Sequence, residues 1–217
     1  MSWDPRNAAP SRETEPLAGA PSDADLAQLV QAAGVTLLDA LESHRPGSRG
    51  HADATASYGF AAAVELGFER EHADAMRETA RLHEVGMIYV PAAVLATAPE
   101  DRAPEGQALI NAHPAYGAEL ARGAGVPNKA CAWIRASAER IDGRGPAGLA
   151  GERVPLQARI ICVACACDAA LTAPHPAATP AEHRAAAFAT LRVAAGRELD
   201  PRVVEALTAM LDRVTRG

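Results

Sequence analysis

Residues 155–171 read PLQARIICVACACDAAL, a run that is apolar on nearly every side of a helical projection and opens on a proline. A helix without a polar face has to be wrapped by other elements, so this stretch predicts the helix at the centre of the fold. Asp168 interrupts it. An unpaired carboxylate in such surroundings is costly enough to require a cation, a metal ion or several donors beside it. An arginine such as Arg159 or Arg140, or a backbone cap, is the commoner solution.

Outward from this run, helical signals recur on both sides. Downstream, Thr179-Pro180-Ala181-Glu182 combines an N-cap, a first-turn proline and a capping-box acid, and Asp200-Pro201 repeats the cap and proline. Each starts a terminal helix. Upstream, Asp142-Gly143-Arg144-Gly145-Pro146-Ala147-Gly148 is a loop whose backbone needs special angles. Before it, residues 104–122 and 127–140 carry helical patterns, and Pro91 opens a short turn or helix. Residues 71–85 predict a helix that Gly86 stops in a left-handed conformation, and 51–66 predict another. The first begins at Ser22, where Ser22 and Asp25 form a capping box and Leu26, Leu29, Val30, Ala33, Leu37 and Leu41 follow at helical spacing. No β alternation or internal repeat interrupts the series. The expected fold is all-α: one domain of about eight helices over residues 22–217, preceded by a flexible tail at 1–21 whose Pro-, Ala- and Ser-rich composition buries too little to offset ordering.

Composition narrows the function. The 217 residues are 48% hydrophobic, enough for one core, and carry a net charge of -6 with Lys129 as the single lysine. Such a surface does not neutralise a phosphate polymer, which argues against a nucleic-acid partner but not against a small phosphorylated ligand. No apolar run reaches the roughly 18 residues of a membrane span and the first residues lack signal-peptide character, so a soluble cytoplasmic protein is expected. The four cysteines, Cys131, Cys162, Cys165 and Cys167, are too few and too clustered for a disulfide framework and read as reduced thiols.

The residues able to carry chemistry are scattered. His51 opens the second helix, His83 and Glu84 lie near the end of the third, and His113 precedes the helix-loosening Pro114. Individually, each histidine is more often a hydrogen-bonded packing residue than a ligand. The cysteines are more often small apolar fillers. A redox or zinc role for Cys162 and Cys165 as a CxxC pair lacks the exposure that such chemistry needs.

Their order is more informative. Gly50-His51, Leu82-His83-Glu84-Val85-Gly86-Met87-Ile88, Asn111-Ala112-His113-Pro114, Glu139-Arg140-Ile141-Asp142-Gly143-Arg144-Gly145-Pro146, Ala158 to Ala169 and Ala195 to Pro201 follow one another as the motifs of HD-GYP domains do. The chain resembles that family of cyclic-dinucleotide phosphodiesterases from about residue 35 to 210. The resemblance implies that histidines and acids from separate helices hold two or three metal ions, which polarise a phosphodiester and generate a hydroxide nucleophile. His51, His83 and His113 match ligand histidines, and Glu84 stands where the HD aspartate would. Arg140, Asp142, Gly143, Gly145 and Asp168 fall where the family contacts ligand or supports the site.

Departures accompany the match. Ser137 and Ala138 replace a pair of histidines, Met87 replaces a phosphate-binding lysine, the tyrosine of the GYP turn is missing, and Cys165 replaces the aspartate of the central helix. The resemblance thus implies a degenerate member, catalytically impaired, acting in signalling through a protein partner or a cyclic dinucleotide. The enzyme alternative is a phosphohydrolase with one divalent ion (Zn, Fe or Mn) on His51, His83, Glu84 and Cys165; nitrogen, oxygen and thiolate donors together suit zinc or a similar metal. A helical scaffold without metal, as in HDOD relatives, is the third reading. Homodimerisation is compatible with all three.

Overall fold

A computed structural model of the chain describes residues 21–174, 176 and 179–214, and the expected tail at 1–21 lies almost wholly outside them. Among the described residues nine α-helices follow one another: α1 Asp23–His44, α2 Ser48–Glu65, α3 Arg70–Arg81, α4 Ala92–Leu95, α5 Pro104–Gly123, α6 Asn128–Ala136, α7 Leu156–Thr172, α8 Pro180–Ala194 and α9 Pro201–Val214. They include no strand, only isolated bridges pairing Asp142 with Ala150 and Ala195 with Leu199. The one helix beyond the expected eight is α4, the four-residue turn after Pro91.

Helix α7 is central, touching α2, α6, α8 and α9. Its Ile160, Ile161, Val163 and Ala164 are fully buried. At about 25 cal/mol per Å2 of apolar surface removed from water, four such side chains supply several kcal/mol, which is why a helix this apolar is stable only inside the bundle. Around it, α1 packs on α3, α2 on α3 and α7, and α5 on α6.

The caps form as the sequence implies. Ser22 and Asp25 bond reciprocally at the start of α1, and Thr179 and Glu182 do so at α8. Asp200 Oδ1 accepts the Arg202 N–H at 2.8 Å to begin α9. Helix α2 is entered differently: Gly47, at φ 93°, reverses the chain, and the Glu42 carboxylate accepts the Gly47 and Arg49 N–H groups at 2.9 and 2.8 Å. Residue 51 is thereby set in the first turn of α2.

Two helices end earlier than periodicity predicts. Helix α3 stops at Arg81, and Val85–Tyr89 forms a separate 3-10 turn laid against α5. Gly86 is not in the left-handed region; its role is proximity. A Cβ there would lie 1.9 Å from the His113 carbonyl oxygen and 2.5 Å from the Gly117 nitrogen, so two backbones meet where no side chain fits. Helix α6 stops at Ala136, and Glu139 turns inward, 2% exposed, to accept the Ala147 and Leu149 N–H groups at 2.5 and 3.0 Å. This one carboxylate organises the glycine-proline loop. Gly143 and Gly148 supply its positive φ angles of 80° and 70°.

Candidate metal centre

The end of α1, the start of α2, the turn after α3 and the middle of α7 border a cleft of about 490 Å3, lined by Arg45, His51, Glu84, Cys165, Asp168 and Thr172 among others. His51 Nδ1 lies 2.6 Å from Asp168 Oδ2. A carboxylate only accepts, so this contact places a proton on Nδ1 and leaves Nε2 for the ring's other neighbours, the orientation that carboxylate–histidine pairs give to metal ligands. His51 Nε2 lies 3.6 Å from Cys165 Sγ and 3.9 Å from Glu84 Oε2. Asp168 therefore finds its partner in a histidine. Arg159 pairs instead with Asp200 at 2.5 Å, and Arg140 with Asp142.

His83 follows α3 rather than lying within it. Its Nδ1 donates to the Ala80 carbonyl at 2.8 Å, and Nε2 is buried without a partner. Burial holds this imidazole at about 4, against the pull of the Glu84 carboxylate, so it is neutral near pH 7 with a free nitrogen lone pair. His113 is oriented in a similar way. Pro114 has no N–H to give the Ile110 carbonyl one turn back, and His113 Nδ1 donates to that oxygen at 2.7 Å instead. Burial lowers its pKa too.

Glu84 is mortgaged to a residue that the sequence reading passed over. Arg45, just past α1, donates to Glu84 Oε2 at 2.7 Å. Burial acts to raise the Glu84 pKa, but His83, Arg45 and the other histidines outweigh it and hold the carboxyl below its usual range. Burial is the main push on the thiols of α7 and nearby carboxylates add to it: Cys162 stands at about 11, Cys167 at about 12, and Cys165 is raised further.

Donor atoms of His51, His83 and Cys165 all lie within 4.8 Å of one another, the one grouping of its kind among the described residues. Glu84 and His113 are outside that trio. The orphaned His83 nitrogen and the fixed His51 tautomer suit a cation, so the residues present fit a single divalent ion with an open side toward the cleft. At the two positions that the resemblance would give to histidines, the Ser137 hydroxyl donates to the Ile134 carbonyl at 2.8 Å and Ala138 has no donor. Met87 is buried at 6% exposure.

The loop candidates do not line the cleft. Arg140 grips Asp142 through two bonds of 3.0 and 2.7 Å and reaches Glu198 at 3.3 Å. This grip holds the Asp142 carboxyl at about 2. Gly145 lies flush on Glu139, where a Cβ would stand 2.6 Å from Oε2, and Gly143 faces Ala150. Sequence reasoning missed Arg45 and Glu139: Arg45 looks like any exposed residue beyond a helix, whereas Glu139 sits within a motif that could have drawn attention to it.

Comparison with known proteins agrees with this architecture. The chain is 37% identical over 154 residues to the cyclic di-GMP phosphodiesterase response regulator RpfG of Xanthomonas campestris pv. campestris (strain 8004), a match covering 67% of this chain and 38% of RpfG. It thus spans well under half the length of that relative. Among solved structures, the HDG"Y"P protein Bd1817 from Bdellovibrio bacteriovorus superposes with a TM-score of 0.64 at 20% identity, covering 88% of this chain and 65% of the other. The cyclic GMP-AMP specific phosphodiesterase V-cGAP3 of V. cholerae gives 0.62 at 19%, covering 86% and 49%. The PgpH HD domain of L. monocytogenes in complex with cyclic-di-AMP gives 0.59 at 17%, covering 84% and 98%. At these identities the superpositions speak for the fold. The HD domain family matches residues 36–203, most of the described chain, and the protein therefore belongs to the HD domain family as an HD-GYP-like member.

Proposed function

We propose that this HD-GYP-like domain is catalytically impaired and acts in signalling by binding a protein partner, with a cyclic dinucleotide as the second candidate ligand. The observation that carries the reading is Ser137-Ala138, one hydroxyl already bonded to Ile134 and one methyl, at the positions where a paired-histidine site would be needed. A two-metal hydrolase clamps the attacking and leaving oxygens between ions a few ångströms apart, and a chain lacking two adjacent imidazoles loses much of one site. Two further features support it. Met87 offers no charge to a phosphate, and Arg45, the cleft's guanidinium, is already paired with Glu84.

The test is hydrolysis of cyclic di-GMP, cyclic di-AMP and cyclic GMP-AMP by purified protein loaded in turn with Mn2+, Fe2+ and Zn2+. No turnover is expected. Turnover abolished by His83→Ala overturns the proposal. Calorimetry with the same dinucleotides separates ligand binding from a purely protein-directed role.

A second reading is favoured by the His51, His83 and Cys165 trio: a residual phosphohydrolase using one ion, with His51 and His83 holding it and the metal supplying Lewis-acid activation of water. It requires stoichiometric metal. Elemental analysis that returns none after growth in supplemented medium removes it. Among the described residues no helix is long and apolar enough to cross a membrane, and a soluble cytoplasmic setting remains part of the proposal.

A further inference from the structure

We infer that Cys165 coordinates as a thiolate, its proton released to solvent as the ion binds, making the His51–His83–Cys165 cluster a two-imidazole, one-thiolate centre for a thiophilic divalent ion of the zinc class rather than for a hard ion such as Mn2+ or Mg2+. The inference rests on the reading that this trio holds an ion, but not on whether hydrolysis survives.

The argument begins with the other thiols. From the sequence, Cys162, Cys165 and Cys167 look interchangeable, three small side chains on one apolar helix. The fold separates them. Cys167 is wholly buried in the hydrophobic core, and Cys162 packs against the core and senses Arg140, Glu139 and Glu198. Cys165 alone reaches the histidines, with Sγ 3.6 Å from His51 Nε2.

Both imidazoles are prepared for ligation before any ion arrives. Asp168 fixes His51 by its Nδ1, and the Ala80 carbonyl fixes His83 by its Nδ1. His83 is 3% exposed and its Nε2 has no hydrogen-bond partner among the described residues. Leaving a buried polar atom unsatisfied is destabilising. A cation taking that lone pair removes the cost, which a packing role for His83 does not. The ring centroids of His51 and His83 stand 5.2 Å apart at 54°, so the two rings are tilted rather than stacked. Ligand atoms about 2.0–2.3 Å from a tetrahedral zinc lie roughly 3.3–3.8 Å from one another. The 4.8 Å limit on the trio's separations leaves only a small contraction to reach that geometry.

The donor balance then selects the metal. Of the two carboxylates that line the cleft, Glu84 shares its Oε2 with Arg45 at 2.7 Å and Asp168 engages His51 Nδ1 through Oδ2 at 2.6 Å, so the hard oxygens that would favour Mn2+ or Mg2+ are partly withdrawn. One soft sulfur and two borderline nitrogens remain. Thiolate and imidazole suit zinc, while manganese and magnesium favour oxygen.

Cobalt(II) reports the ligand directly. Chelated, reduced full-length protein titrated with Co2+ is expected to bind one equivalent and to develop a near-ultraviolet thiolate-to-cobalt charge-transfer band, displaced by Zn2+. That band should vanish in Cys165→Ser and persist in Cys162→Ser and Cys167→Ser, with circular dichroism verifying that each variant is folded. Wild-type protein that binds Co2+ without the band overturns the inference, as does a band that survives Cys165→Ser. Failure to bind Co2+ at all overturns it as well. Cyclic-dinucleotide turnover by the metal-loaded protein would instead sink the impaired-enzyme reading and leave the thiolate assignment standing.

Discussion

Replacing Glu139 by glutamine changes one atom in a side chain that is 2% exposed, and the structure fixes what that atom faces. Glu139 Oε1 accepts the Ala147 N–H at 2.5 Å and Oε2 the Leu149 N–H at 3.0 Å. In Glu139→Gln one oxygen becomes an NH2 group pointed at an N–H donor, so one bond is lost and the other is weakened. Hydrogen bonds to a carboxylate are worth about 1.5–3 kcal/mol each, and Ala147 is exposed enough for water to recover part of its loss. The expected cost is about 2 kcal/mol for Glu139→Gln and about 4 kcal/mol for Glu139→Ala, in which both bonds go. With a urea slope of about 2 kcal/mol/M, the glutamine variant should lose about 1 M in its unfolding midpoint. Amide exchange at residues 147 and 149 should accelerate beyond what global destabilisation explains. A glutamine variant within about 0.5 kcal/mol of wild type, with exchange at those amides unchanged, refutes the idea that this carboxylate builds the loop.

Three further outcomes are expected. Gly86→Ala drives a methyl to within 1.9 Å of a backbone oxygen that cannot swing aside, so it should cost about 3 kcal/mol or more in urea unfolding, and a near-neutral result contradicts the packing. Chelated protein should weaken as pH falls from 6.5, the ordinary histidine value, toward about 4, because the unfolded chain protonates His83 while burial keeps it neutral in the fold. That contribution is complete above the upper value, amounts to roughly 3 kcal/mol, and gains slope from His113, whose shift has the same sign. Urea midpoints across this window should fall more steeply for wild type than for His83→Gln, and equal slopes refute the assignment. Asp200→Asn strips the charge partner from Arg159, whose side chain is 14% exposed, and should cost about 3 kcal/mol by thermal or urea unfolding; a loss below about 0.5 kcal/mol argues that the pair is not structural.

How legible was this in the sequence? The buried run ending in Leu171 announced a central helix, and the capping signals at Ser22, Thr179 and Asp200 located three helix starts, because both depend on local chemistry. Helix ends were less legible. Periodicity carried α3 through Val85, but the backbone has to leave the helix for Gly86 to touch α5, a constraint set by a segment more than twenty residues away. His51, His83 and Cys165 were named from motif order, and the fold brings them together. That Glu84 would share its carboxylate with Arg45, or that Asp168 would choose His51 over an arginine, depends on tertiary neighbours that no local pattern encodes.

The backbone contact at Gly86 makes the two flanking histidines part of one rigid bracket. The His113 carbonyl touches the turn three residues beyond His83, while the His113 ring stitches the break that Pro114 leaves in its own helix. With the two backbones in contact there, the position of α5 and the position of the turn that carries His83 toward the cleft are set together.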